Sequence, residues 1–235
     1  MPNGQTRYTV FGSEKAPAHV ISKSENIDLT CADKMVILTT ADPAKKGGVV
    51  ILRAVAEKSV VFVREAPEQR TDLACTNMMY DRLSAALGKL TLEGATKIVN
   101  TEAATKRTVT ATGSSGVATL NPTVKGNGAL QNANLEGPVK IVAVLAETKG
   151  TSTYTATGNQ LDIVNDAKPP TITLAGNVRV KTVSTDPTAG DSNIEGLDKI
   201  VLSLNEKGEV TDVAGEGQPS RTVFHPGKKK GDRAN

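Results

Sequence analysis

Between Thr171 and Lys181 apolar and polar residues alternate without a break. Ile172, Leu174, Gly176, Val178 and Val180 fall on one face; Thr171, Thr173, Ala175, Asn177, Arg179 and Lys181 fall on the other. A period of two marks a strand with one buried side. A shorter run, Asn159 to Val164, precedes it, and Asn165–Pro170 supplies the turn between them. A glycine at the centre of a strand marks a bend, a bulge or a close approach.

The same pattern recurs along the chain. Leu90, Leu92, Gly94, Thr96 and Ile98 reproduce it 82 residues upstream, and Leu135, Gly137, Val139 and Ile141 form a third copy. TVTATG at 108–113 returns as TYTATG at 153–158. Two weaker copies flank these, LTCADKMVIL (29–38) and GLDKIVLSL (196–204). The equivalent polar positions Asp33, Asn77, Ser114, Asn159 and Asp198 stand 44, 37, 45 and 39 residues apart. The chain therefore reads as about five degenerate units of about 41 residues. One segment, 72–90, also fits an amphipathic helix with Met79, Leu83, Ala86, Leu87 and Leu90 on one side. Its register match to the other copies predicts strand, loop and strand instead.

A single pair of strands cannot bury its apolar face, but stacked copies line their apolar rows into a continuous wall. The predicted fold is all-β: two such walls facing each other make a flattened roll or sandwich of stacked strands with an aliphatic interior. Residues 29–224 form one such domain, 1–28 an N-terminal segment with the first strands, and 225–235 a disordered tail. The inward residues this assigns are Met35, Ile37, Met79, Leu92, Ile98, Leu135, Val139, Ile141, Leu161, Ile163, Leu174, Val178, Val180, Ile200 and Leu202. Gly94, Gly137 and Gly176 share that face, where they let each strand bend or leave room at one level of the interior.

Composition sharpens the interior. Aromatic residues make up 3% of the chain and Trp is absent, so the wall is aliphatic and adaptable. The net charge of +3 does not indicate an acidic partner. Lys228, Lys229, Lys230 and Arg233 against Asp232 account for all of it, which leaves the body neutral and argues against nucleic-acid binding. The longest apolar runs, VVILRAVA (49–56) and IVAVLA (141–146), have the length of strands and fall short of a membrane span. The start, MPNGQTRYTV, shows no signal-peptide core.

The residues of catalysis are sparse. The two histidines, His19 and His225, lie near the ends, and neither CxxC nor HExxH occurs. Gly88-Lys89 lacks a preceding phosphate loop, and GNG at 126–128 lacks the rest of a dinucleotide fingerprint. No enzyme, cofactor or metal is expected. Cys31 and Cys75 stand 44 residues apart, at equivalent positions in neighbouring units, in register with Met35 and Met79. Adjacent strands lie about 4.8 Å apart, within disulfide range, so the pair is either a disulfide or two buried thiols.

The stretches TGNQLDIVNDAKPPTITLAGNVRV (157–180), DSNIEGLDKIVLSLNEKGEV (191–210) and VAGEGQPSRTVFHP (213–226) resemble the LptA/OstA-like family of periplasmic lipopolysaccharide-transport proteins. LTCADKMVIL (29–38) is similar to that family's early Ala-Asp-Lys strand. The chain departs from the pattern in its cysteine pair and in a weak first glycine strand around Ala56-Glu57. The resemblance implies a β-jellyroll, or β-taco, of stacked antiparallel strands open at both ends, acting as a non-enzymatic carrier that holds the acyl chains of lipopolysaccharide, at lipid A, in its interior. It also implies a periplasmic location, head-to-tail assembly through terminal strands, and inner- and outer-membrane jellyroll partners of the same transport system. A structural or adhesive β-stack with a dry core and no lipid ligand is the alternative left open by the residues themselves.

Overall fold

A computed structural model describes residues 4–22, 27–43, 46–66, 69–121, 130–147, 149–205, 210–218 and 221–225. The strands are β1 (Gln5–Phe11), β2 (Ala18–Ser22), β3 (Ile27–Cys31), β4 (Lys34–Ala41), β5 (Val49–Ala66), β6 (Gln69–Ser84) and β7 (Leu87–Glu102). They continue as β8 (Arg107–Leu120), β9 (Leu130–Glu147), β10 (Gly150–Val164), β11 (Thr171–Ser184), β12 (Asp191–Leu204), β13 (Val210–Glu216) and β14 (Arg221–His225). All fourteen belong to one sheet, ordered β1-β4-β5-β6-β7-β8-β9-β10-β11-β12-β13, with β2 on β3, β3 on β5 and β14 on β12. The fold is all-β and antiparallel, consistent with a β-jellyroll. Among the described residues, no helix is long and apolar enough to cross a membrane.

Residues 72–84 and 87–90 are strand. β6 and β7 are joined by a turn at Ala85–Ala86. Local amphipathicity loses here because β5 offers β6 a ladder of partners from Arg53↔Asp81 to Ala66↔Gln69, interrupted at one bulge. The tail expected to be disordered, apart from His225 in β14, lies outside the described residues.

Backbone packing divides the chain into two compact units. The first comprises residues 1–98 and 114–134, the second 99–113 and 135–235, so β7, β8 and β9 each contribute to both.

In the first unit a line of irregularity crosses the strands at one level. On β5, Lys58 and Ser59 sit between the pairs Glu57↔Asn77 and Val60↔Cys75, opposite Thr76 alone. Two residues against one is a β-bulge. Both adopt positive φ, +65° and +52°, and Asn77 Oδ1 accepts the Lys58 N–H at 3.1 Å. At the same level Ala32 N–H donates to the Lys58 carbonyl, and Ala32–Asp33 separates β3 from β4. Gly12 N–H donates to the Asp33 carbonyl where β1 gives way to the loop before β2. One buried cluster draws on both sides of this crease. Met35, Ile37, Ala54, Ala56, Met78 and Leu92 come from one side; Ala18, Leu29, Cys31, Val60, Leu73 and Cys75 come from the other. The long strands thus fold their apolar face onto itself.

The second unit repeats the crease. The β10–β11 register slips between Thr157 and Gln160, and the β11–β12 register between Ala175 and Val178. Gly137, Gly176, Gly196 and Gly217 carry φ of +87°, +81°, +80° and +95°. β12 pairs β13 through 199–204 and β14 through 191–195, so the last edge is also split at this level. The repeat of about 41 residues has a physical basis: it is the length of two creased strands with their turns.

Candidate functional site

Residues directly paired across an antiparallel ladder share a face, so the registers give the inner wall row by row. In the second unit Leu161, Leu174 and Ile200 make one row beyond the crease, and Ile163, Ile172 and Leu202 make the next. On the other side Ala156, Val180 and Ile194 form a row. Side chains flanking the crease are buried: Leu135, Val139, Leu161, Leu174, Val178 and Leu197 are at most 8% exposed. One step outward, Ile141, Ile163, Ile172, Val180, Ile194 and Leu202 keep part of their surface accessible, as does Ile200. The apolar lining is closed at its floor and open on its walls.

The first unit has the same rows but closes them. Met35–Ala56–Met78 and Ile37–Ala54–Tyr80 lie on one side of the crease, and Leu29–Phe62–Leu73 on the other. Met35, Cys31 and Ala56 are fully buried. Ile98 packs against this cluster from outside it, together with Val10, Val20 and Leu90. The small Ala54 and Ala56 let larger side chains meet across the fold.

Three sequence-based expectations change. Met79 is not an inward residue; Met78 is, at 5% exposure. β6 changes parity where Thr76 alone faces the two bulge residues, so Cys75 and Met78 share the inner face although three residues apart. Met79 pairs with Val55, and its sulfur receives an Arg53 N–H at 3.0 Å. That opposite surface carries a shallow depression of about 430 Å³ lined by Gln5, Arg7, Val36, Leu38, Arg53, Val55 and Glu57.

The glycines set shape by bending and leave no room inside. A Cβ on Gly176 would meet the Asn159 side chain at 2.7 Å, and one on Gly94 would collide with Thr76. Asn159 and Thr76 are exposed, so the missing side chain faces the polar partner. Gly137 adopts a positive φ as well, +87°. The weak first glycine strand near Ala56-Glu57 is explained too: Lys58 and Ser59 make that bend without glycine.

Cys31 and Cys75 are both buried and both free. β5 runs between their strands, which puts them about two strand spacings, or ~10 Å, apart and beyond the reach of a disulfide. Burial, and secondarily the charge of Glu93, pushes the Cys75 thiol up to about 11. Its folded pKa lies above the ordinary value, so its neutral form is favoured by folding. That contribution is whole below about pH 9 and is lost as the pH rises toward 11. Native protein at pH 8 is expected to leave Cys75 unmodified by a disulfide reagent for hours, with both thiols released in denaturant. Rapid native labelling of Cys75 would show that the first unit opens.

Sequence reasoning missed Met78 and Leu197 because parity changes at bulges that alternation cannot show; it also left out Val60 and Leu73, which the alternation of their own strands does place inward. The polar row Tyr154–Thr182–Ser192, which continues the inner wall of the second unit, was visible in TSTYTATG only as a strand. Among the described residues no group of His, Cys, Asp or Glu is placed to hold a metal. No family model, no curated protein and no solved structure matches the chain.

Proposed function

We propose that the protein is a non-enzymatic lipid carrier whose second unit holds acyl chains along its inner wall, with lipopolysaccharide as the lipid and the periplasm as the place. The supporting observation is the half-covered aliphatic wall of Ile163, Ile172, Val180, Ile194 and Leu202 above a buried floor. Each methylene moved from water to such a wall gains about 0.8 kcal/mol, so several chains bind without a charged anchor. Among the described residues, the edges split between β1 and β2 and between β13 and β14 present unpaired backbone. Pairing one edge with the other of a second copy, or with a jellyroll partner in either membrane, extends the sheet as a heterologous, open-ended contact.

A dry structural stack is the second reading, and the closed cluster of the first unit favours it for that half. A photo-crosslinking residue separates the two. Placed at Ile172 it is expected to capture lipopolysaccharide, and placed at Thr173, which points to the other face, it is not. Capture at neither site, with no lipid extracted from the purified protein, leaves the dry stack.

A further inference from the structure

The inner wall of the second unit changes chemistry along the strands. Outward from the crease on the side of Val178, the row Ala156–Val180–Ile194 is apolar. The next row is Tyr154–Thr182–Ser192, three hydroxyls side by side. The row beyond pairs Ser152 with Ser184. On the other side of the crease both rows are wholly aliphatic.

The outer pair is already engaged. Ser152 is 4% exposed and its hydroxyl donates to Ser184 Oγ at 3.4 Å. Ser184 Oγ also accepts the Asp186 N–H, and the Ser184 N–H donates to Asp191 Oδ1. Thr185 Oγ1 accepts the Thr151 N–H at 2.8 Å. This network fixes the rim through the two adjoining turns. The middle row is different. The hydroxyls of Tyr154, Thr182 and Ser192 have no hydrogen-bond partner among the described residues, and Tyr154 is 40% exposed. No Lys, Arg, Asp or Glu occurs on this face of β10, β11 and β12 between crease and rim.

We infer that this row binds the uncharged, hydroxyl- or amide-bearing part of a lipid head group, next to the acyl chains held by the apolar rows. The inference rests on the carrier reading above and assigns the bound lipid a direction: chains toward the aliphatic side, sugar-like head toward Tyr154, Thr182 and Ser192. Three free hydroxyls can each donate and accept, which suits polyhydroxylated rings. A phosphate finds no cation on this face of β10, β11 and β12.

The test is calorimetric titration of the full chain with three probes sharing one tail and kept below micelle formation: dodecyl maltoside, dodecyl phosphate and dodecanoate. The wild-type protein is expected to bind the maltoside most tightly. The triple variant Tyr154→Phe, Thr182→Val, Ser192→Ala is expected to lose at least about tenfold in maltoside affinity and less than about twofold for dodecanoate. Should the triple variant not fold, Tyr154→Phe and Thr182→Val are read singly, each with about threefold loss. Equal loss for maltoside and dodecanoate, or tighter wild-type binding of the phosphate, overturns the inference while leaving a carrier. If no probe binds the wild-type chain, the carrier reading falls and the inference with it.

Discussion

Gly176→Ala is expected to destabilise the protein by roughly 3 kcal/mol, measured as a fall in the denaturation midpoint. Two causes add. An alanine held at φ +81° costs about 1–2 kcal/mol because its Cβ crowds the following carbonyl. The same Cβ would lie 2.7 Å from Asn159 Nδ2 and 2.8 Å from Asn159 Cβ, an overlap that costs about 1–3 kcal/mol to relieve. The causes are separable. Adding Asn159→Gly removes the overlap but leaves the backbone strain, so the double variant is expected to recover only part of the loss. Full tolerance of Gly176→Ala would mean that β11 has no left-handed kink there.

Met78→Asp and Met79→Asp are expected to differ more than any other neighbouring pair of substitutions. Met78 is 5% exposed within the closed cluster. An aspartate there puts an unpaired charge among Met35, Ala56 and their neighbours, at a cost above about 4 kcal/mol, enough to unfold a marginal protein. Met79→Asp faces the other way, toward the Arg53 guanidinium that now touches the methionine sulfur. Its expected effect is within about 1 kcal/mol. Thermal unfolding of the two variants reads the register of β6 directly. The reverse order, with Met79→Asp the damaging change, would restore uninterrupted alternation through Asn77.

The edges carry a related consequence. Among the described residues, β1 with β2, and β13 with β14, each present an outer row of backbone groups without a partner in the sheet. Exposed edges of this kind pair with other chains unless they are blunted. Here each edge is shared between two short strands, β1 with β2 and β13 with β14.

Much of this was legible in the residues. Alternation from Thr171 to Lys181 gave the strand, and its recurrence at Gly94 and Gly137 gave the unit length. Met35, Ile37, Leu161, Ile163, Leu174, Val180, Ile200 and Leu202 lie in the inner rows that the pairings define, because alternation depends only on the two-residue pleat. The exception, Met79, lies just past a bulge made by Lys58 and Ser59, residues with no outward sign of a left-handed bend. The cysteine spacing was read correctly as equivalence between units, but equivalent positions proved to be two strands apart, since each unit contributes two strands to the sheet.

The sequence by itself therefore determined the strands, their repeat and the chemistry of the two faces, because these follow from local periodicity. Only the tertiary structure decided where the strands fold over, which face of β6 looks inward, and that one unit closes its apolar rows while the other leaves them partly open. Those outcomes depend on which residues meet across the crease: Ala54 and Ala56 are small enough for close packing in the first unit. No run of residues taken alone records what it will face.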